Sequence, residues 1–251
     1  MNQRLRLVLN IVLSLVMATG VCVLLGRLVQ HIDGAAAAEK AARTAGFESP
    51  ALAEGETADP AAEELAGLDL AALAAVNPDV AGWIYIPGTT VSYPVLQGQD
   101  NDYYLRHTWE RKWNSCGSIF LDSRVPRDFS GGNTIIYGHQ MKNGTMFTPL
   151  HGYGDADFWR EHPSIYVADG ACVRRYEVFA AWEPEVTSPV FAADGVDRQE
   201  LLALCLRSSQ LDTGLEPGPE DPLLTLSTCT DRGHATRWVV QGVLAQVYPL
   251  S

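Results

Sequence analysis

A cysteine at the end of an apolar run is the first residue in the sequence that could act as a nucleophile. Cys229 follows the β-type run 223–228 and precedes the polar loop 231–234. If Gly233 is the centre of a hairpin, Arg237 lies opposite Cys229, with the two Cβ atoms about 5 Å apart. A guanidinium at that distance can lower the pKa of a thiol or bind a developing oxyanion. Taken alone, however, a cysteine on a strand is more typical of a small buried hydrophobic residue.

A histidine ends a second apolar run and could supply the base that such a thiol needs. His139 follows the run 134–137, and Gly138 permits close approach of the neighbouring chain. An imidazole can take the thiol proton and later return it to a leaving amine. His234, in the loop beside Cys229, is the rival base, and a lone histidine is more often an ordinary surface residue. The other candidates stand in polar helical or turn contexts: His107, His151 and His162.

The elements that must position these residues are mostly short strands. Eight β-rich runs separated by turn residues predict a mainly β fold with a closed or nearly closed barrel. Helical spacing predicts helices over 60–76, 102–106, parts of 146–162, and 197–208. The helix over 197–208 falls inside a 40-residue connection, 183–222, a length typical of functional segments. The predicted strands are 82–86, 91–95, 117–121, 134–137, 164–168, 173–182, 223–228 and 238–247.

Composition excludes several classes of function. The chain has 251 residues, of which 47% are hydrophobic, so it is not disordered as a whole. Lys plus Arg is 18 and Asp plus Glu is 30, a net charge of −12, which argues against nucleic-acid binding. The five cysteines include no C-x-x-C pair, so neither a disulfide scaffold nor structural zinc is expected. For Cys116, Cys172 and Cys205 we expect buried thiols, with a disulfide between two of them as the alternative.

The N-terminus contains a candidate membrane anchor. Residues 7–25 carry no charge and are long enough to cross a bilayer, although a cleaved signal peptide is the alternative, given the small residues 35–38. Arg4 and Arg6 precede the run and Arg27 follows it, which predicts a cytoplasmic N-terminus. We therefore expect a cytoplasmic segment 1–6, a single transmembrane span 7–25, an extracytoplasmic linker 26–64 and a catalytic domain 65–251. The linker, rich in alanine and acidic residues, is expected to be weakly ordered.

Seven segments resemble, in order, those of class B sortases, and the resemblance covers about residues 65–248. One departure is Gln140, where that family has asparagine. The segments are NPDVAGWI (77–84), TVSYPV (90–95), DNDYYL (100–105), GSIFLD (117–122), YGHQM (137–141), GTMF (144–147) and TLSTCT (225–230), the last followed by Arg237.

The resemblance implies a membrane-anchored cysteine transpeptidase of a Gram-positive-type envelope. It implies an eight-stranded sortase barrel with an N-terminal helix and a further helix between the sixth and seventh strands. His139, Cys229 and Arg237 would be catalytic, Ser227 and Thr228 would line the substrate groove, and no metal or cofactor would be needed.

The partners implied are secreted proteins with a C-terminal sorting motif, of Asn-Pro-x-Thr-x or Pro-x-Thr-Gly type, and an amine of a peptidoglycan precursor or a pilin. Surface anchoring and pilus assembly both fit this pattern. A hydrolytic cysteine peptidase could use the same three catalytic residues, and a non-enzymatic surface binding module would need none of them.

Overall fold

The computed structural model describes the backbone of residues 3–48, 59–230 and 233–250, and the side chains of 10–48, 59–230 and 235–250. Its centre is a closed barrel of eight strands in the order β1-β2-β3-β4-β7-β8-β6-β5, with β5 paired to β1. The predicted mainly β barrel is therefore confirmed. The strands are β1 Val80–Tyr85, β2 Ser92–Leu96, β3 Ile119–Leu121, β4 Asn133–Tyr137, β5 Ser164–Ala168, β6 Cys172–Trp182, β7 Leu223–Thr230 and β8 Gly233–Pro249.

Two neighbouring strands, β4 and β7, place the candidate site. They pair in parallel, with Asn133 beside Leu223 and Tyr137 beside Ser227. Most of both strands is buried, and exposure begins only at their last residues. Continuous apolar runs are expected for strands covered on both faces. Because parallel strands end at the same edge of a sheet, the residues that follow β4 and those that end β7 come together.

The helices agree with the predictions except near the N-terminus. Helix α5, Arg198–Ser208, lies in the β6–β7 connection as expected, and the Asp197 side chain accepts hydrogen bonds from its first backbone N–H groups. The single helix predicted over 60–76 is two helices, α2 Pro60–Ala66 and α3 Leu70–Val76, because Asp69 caps a new helix after Gly67. The remaining helical elements are α4 Ala156–Glu161 and the 3₁₀ helices Tyr103–Leu105, Thr148–Gly154 and Pro189–Phe191.

The first helix differs from the expected linker. Helix α1 runs without interruption from Gln3 to Ala45, and from Asn10 onward it is long and apolar enough to cross a membrane. Its last turns pack on the barrel, where Ala41 and Ala45 are buried. Alanine has the highest helix propensity and lets two backbones approach closely. The weak order expected for 26–64 therefore does not apply to 26–48, while residues 49–58 lie outside the described residues.

An aromatic contact closes this helix onto the barrel. The ring of Phe47 stacks on Trp83 at 5.7 Å and meets the edge of Tyr85 at 5.2 Å. Both partners belong to β1 and are almost fully buried. The linker sequence holds too few large apolar residues to order itself, but the barrel supplies the partners that it lacks.

Candidate active site

Strand register brings Cys229 and Arg237 together. Cys229 on β7 pairs with Arg237 on β8, as the hairpin geometry predicts. The register shifts just after this pair, where Thr230 faces Gly233. The backbone N–H of Arg237 also donates to the carbonyl of Pro184 at 3.0 Å, so the start of the β6–β7 connection lies alongside the arginine. Cys229 is half-buried, which leaves part of its surface open to solvent.

His139 is held at this edge from three sides. Its Nε2–H donates to the carbonyl oxygen of Leu105 at 2.8 Å. The backbone N–H of Gly138 donates to Ser227 at 3.1 Å, and that of Phe147 donates to His139 itself at 3.0 Å. Because a carbonyl only accepts, Nε2 keeps its proton and Nδ1 is the nitrogen that can take or give one.

The glycine before this histidine confirms the predicted close approach. A Cβ on Gly138 would lie 2.4 Å from Cδ1 of Ile119 and 2.7 Å from the ring of Phe147. No side chain larger than hydrogen fits between these groups. The histidine backbone can therefore lie directly against the barrel interior.

A second glycine sets the position of the carbonyl that holds the imidazole. Gly117 has a positive φ of 58°, and a Cβ there would lie 2.5 Å from the oxygen of Tyr104 and 2.7 Å from that of Leu105. Glycine alone adopts this conformation without cost and allows so close an approach. Gly117 therefore belongs to the support of His139, although it lies 22 positions away in the sequence.

Electrostatics favour the charged forms of the thiol and the imidazole. Hydrogen bonding to His139 lowers the pKa of Cys229, and the positive charge of Arg237 lowers it further, against the opposing effect of burial. Hydrogen bonding to Cys229 in turn raises the pKa of His139, and the Leu105 carbonyl acts in the same direction. These opposite shifts favour a thiolate and an imidazolium, the pairing that activates a cysteine nucleophile.

A second histidine contacts the cysteine backbone and was not singled out by the sequence. The Nε2–H of His151 donates to the carbonyl oxygen of Cys229 at 3.0 Å, and its ring stacks on Trp238 at 5.6 Å. The Trp238 indole donates to the carbonyl of Leu150 at 2.7 Å. The 3₁₀ helix Thr148–Gly154 thus packs on the ends of β7 and β8. A turn histidine among polar residues gave no sign of this contact.

Ser227 and Thr228 lie directly before the cysteine, as the sequence requires, and both are about 2% exposed. Among the described residues their hydroxyls find no hydrogen-bond partner, although each oxygen is buried. Leaving a buried hydroxyl without a partner costs free energy. These two hydroxyls are therefore available to a bound peptide.

An open pocket of about 500 Å³ lies beside Arg237. Its other polar walls are Arg124 and Tyr137, and the β6–β7 connection from Val186 to Ala192 closes it. Burial would raise the pKa of Asp122 beneath it, but hydrogen bonds from Arg124 and Tyr137 lower that pKa overall. The pocket is long and open enough to accept an extended peptide next to the Cys229–Arg237 pair.

The other candidate histidines lie elsewhere. The ring of His107 stacks on Tyr103 at 3.9 Å, and Nδ1 of His162 lies 2.8 Å from the carbonyl of Pro87. The side chain of His234, the rival base, lies outside the described residues. Cys116, Cys172 and Cys205 are buried free thiols, as expected.

The comparison of this chain with known proteins agrees with its fold. The family model of the Sortase domain matches residues 84–245. Sortase B of Listeria monocytogenes is 36% identical over 181 residues, which cover 70% of this chain and 74% of that protein. Sortase B of Staphylococcus aureus is 33% identical over 180 residues, which cover 70% of this chain and 73% of that protein.

Solved structures give the same result. A Staphylococcus aureus sortase B–substrate complex superposes with a TM-score of 0.66 at 32% identity, covering 70% of this chain and 84% of that one. Sortase B from B. anthracis in complex with AAEK1 superposes with a TM-score of 0.71 at 26% identity, covering 87% and 99%. The chain therefore belongs to the sortase family, the cysteine transpeptidases. Its resemblance to class B, first carried by the sequence segments, is confirmed by these relatives.

Proposed function

We propose that this sortase cleaves a C-terminal sorting motif of secreted proteins with Cys229 as nucleophile and transfers the new C-terminus to an amine. The observation that carries the proposal is the meeting of Cys229, His139 and Arg237 at one barrel edge, with the pKa of the thiol lowered and that of the imidazole raised. The same three residues were predicted from the sequence.

In the first half-reaction, the Cys229 thiolate attacks the carbonyl carbon of the motif threonine. The carbonyl oxygen becomes negative, and the Arg237 guanidinium beside the thiol can bind it. Removing one such donor typically costs about 10²- to 10³-fold in rate. When the C–N bond breaks, the proton on Nδ1 of His139 goes to the departing amine, and a thioester between the substrate and Cys229 remains.

In the second half-reaction, an amine attacks the thioester and His139 takes its proton. The C–S bond breaks, the thiolate is restored, and an amide replaces the amide that was cleaved. No metal or cofactor takes part in this sequence. A peptidoglycan precursor or a pilin side chain would supply the amine. A Staphylococcus aureus sortase B has been solved with a glycine tripeptide, an amine of this kind, which supports an amine acceptor here.

For the substrate we propose a motif of Asn-Pro-x-Thr-x type, with Pro-x-Thr-Gly as the rival. A bound peptide would occupy the pocket beside Arg237, where the orphan hydroxyls of Ser227 and Thr228 would find partners. This assignment rests on the class B relatives, one of them solved as a substrate complex.

We propose that the protein is a single-pass membrane protein with a cytoplasmic segment 1–6, a transmembrane span 7–25 and an extracytoplasmic catalytic domain from residue 65. The apolar stretch of α1 supports the span, and the positive charges before it support the orientation. Residues 26–64 connect the two parts, and the first half of this segment is helical.

The test is transpeptidation by the full chain in detergent micelles. The enzyme is mixed with peptides that hold either motif, with and without a short oligoglycine or a diaminopimelate-type amine, and analysed by mass spectrometry. We expect a covalent adduct on Cys229 and a ligated product that requires the amine. Cys229→Ala should abolish both, whereas Cys22→Ala, a matched change of an exposed thiol in α1, should abolish neither.

Cleavage that an added amine never converts to ligation would instead indicate a hydrolytic cysteine peptidase. A chain that forms no adduct with any peptide, and whose cellular function survives Cys229→Ala, would indicate a surface binding module. Either result would refute the proposal.

A further inference from the structure

The anchor helix makes its first hydrogen bonds to the catalytic domain immediately beyond its apolar stretch. The Gln30 carbonyl accepts from Nδ2 of Asn114 at 2.9 Å, and Oε1 of Gln30 accepts from the Ser115 hydroxyl at 2.6 Å. The Cys116 sulfur lies 3.8 Å from Nδ1 of His31. We call residues 113–116 the docking turn. By contrast, the large apolar side chains from Ile11 to Leu25 are about half exposed or more.

Further contacts continue up the helix, away from the apolar stretch. The Trp109 indole donates to the carbonyl of Ala37 at 2.8 Å, and Lys40 pairs with Glu110. Because the contacts run from Gln30 to Lys40 along one helix, the domain cannot swing freely about the anchor. A stiff connection replaces the flexible stalk expected from composition.

The height of the docking turn follows from helix geometry. Gln30 is five residues beyond Leu25, the end of the uncharged run, which is about 7.5 Å along a helix. The headgroup layer on each side of a bilayer is roughly 5 to 7 Å thick. The turn that contacts Gln30 therefore lies at the outer edge of the headgroups.

The chemistry of the exposed residues suits that position. Trp113 is 60% exposed, and tryptophan is enriched at membrane interfaces. Arg106, Arg111 and Lys112 are exposed nearby, against the single acid Glu110 in the segment 106–116. Asp33 of α1 lines the same surface pocket as Trp113 and offsets one of these charges. A net positive segment in a chain of net charge −12 is complementary to anionic lipid headgroups.

We propose that the docking turn rests on the headgroup layer of the membrane that α1 crosses, and that α1 and this turn hold the catalytic domain against the bilayer at a fixed height. The proposed partner is a lipid surface, contacted through the indole of Trp113 and the cationic side chains beside it. This inference rests on the proposed membrane anchor.

Tryptophan quenching by brominated lipids tests the inference directly. The full chain is reconstituted into vesicles of phosphatidylcholine and phosphatidylglycerol, with bromine either near the glycerol end or at the far end of the acyl chains. Among the described residues Trp113 is the tryptophan open to solvent, while Trp83, Trp109, Trp182 and Trp238 are buried and Trp159 is half-buried. We expect the shallow bromine to quench more than the deep one, and Trp113→Phe to remove that difference.

A matched pair of glycine variants tests the role of the helix contact. A Cβ on Gly34 would lie 3.1 Å from both Cβ and Sγ of Cys116, so Gly34→Leu should push the docking turn away and reduce shallow quenching. A Cβ on Gly26 would meet nothing within 4 Å, so Gly26→Leu in the same helix should leave quenching unchanged.

Vesicle flotation separates the two levels of the proposal. If the full chain floats with the vesicles but shows no shallow quenching, or if Trp113→Phe leaves the quenching intact, the docking inference is overturned and the anchor stands. Equal quenching in Gly34→Leu and Gly26→Leu would overturn the helix contact as its cause. If the chain fails to float, both the anchor and the docking inference are overturned.

Discussion

Replacing Gly117 by alanine tests whether the Leu105 carbonyl positions the catalytic imidazole. Gly117 has φ of 58°, a conformation that costs a residue with a side chain about 1 to 2 kcal/mol. The new Cβ would also lie 2.5 Å from the Tyr104 oxygen and 2.7 Å from that of Leu105. Since Cβ contacts start at roughly 3.0 Å, the carbonyl segment must move by about half an ångström.

This movement has a predictable cost. The Leu105 oxygen accepts from His139 at 2.8 Å, so its displacement carries Nδ1 away from Cys229. A misplacement of about 1 Å can cost 10²-fold in rate, so half of that displacement should cost on the order of tenfold in kcat/KM. The backbone strain should lower Tm by about 2 to 8 °C, at roughly 2 to 4 °C per kcal/mol for a domain of this size.

The assay pairs peptide cleavage with thermal unfolding and uses Gly214→Ala as its control. Gly214 has φ of 70° but nothing within 4 Å of its Cβ position, so it shares the strain without the collision. We expect both variants to lose similar stability and only Gly117→Ala to lose activity. Wild-type kcat/KM in Gly117→Ala, or an equal loss in Gly214→Ala, would refute the role given to the Leu105 carbonyl.

Three further predictions concern the residues around the thiol. His151→Phe keeps an aromatic ring against Trp238 but loses the hydrogen bond to the Cys229 carbonyl, so kcat should fall while stability drops by only about 0.5 to 1.5 kcal/mol; an unchanged kcat would make His151 purely structural. Arg237→Lys should lower kcat by about 10²-fold or more, measured in single-turnover acylation, because a point charge cannot replace the guanidinium fork. Iodoacetamide should alkylate Cys229 at lower pH than an ordinary thiol, because hydrogen bonding to His139 lowers the pKa of Cys229. His139→Ala should therefore shift that profile to higher pH, and an unshifted profile would contradict the coupling.

The barrel and the strand ends could be predicted because their patterns are local. Alternating or continuous apolar runs mark strands wherever they occur, and seven of the eight predicted runs agree with the observed strands to within three residues at each end. The pairing of Cys229 with Arg237 follows from a single hairpin, so the sequence contains all of its geometry. The start of β8 lies further from its predicted position, at Gly233, because the hairpin loop is shorter than its polar sequence indicates.

The contacts that complete the site have no local pattern. The parallel pairing of β4 with β7 joins residues about 90 positions apart, and apolar composition does not specify a neighbour. The partner of the His139 imidazole is a backbone carbonyl, which any residue at position 105 would present. Only Gly117 carries a trace of this arrangement, and it became interpretable once its φ and its distance to Leu105 were known.

The two halves of the catalytic pair therefore depend on different kinds of structure. Cys229 and Arg237 are neighbours by strand register, which a change in a distant loop leaves intact. The position of His139 depends on carbonyls from Leu105 and Ser227 and on the N–H of Phe147, all of them outside its own strand. Changes in those supporting segments should act first on the proton coupling between thiol and imidazole, whereas the attraction of Arg237 for the thiolate should persist. The direction of the thiol pKa shift would then survive in part even where turnover is lost, because the charge of Arg237 contributes to it independently.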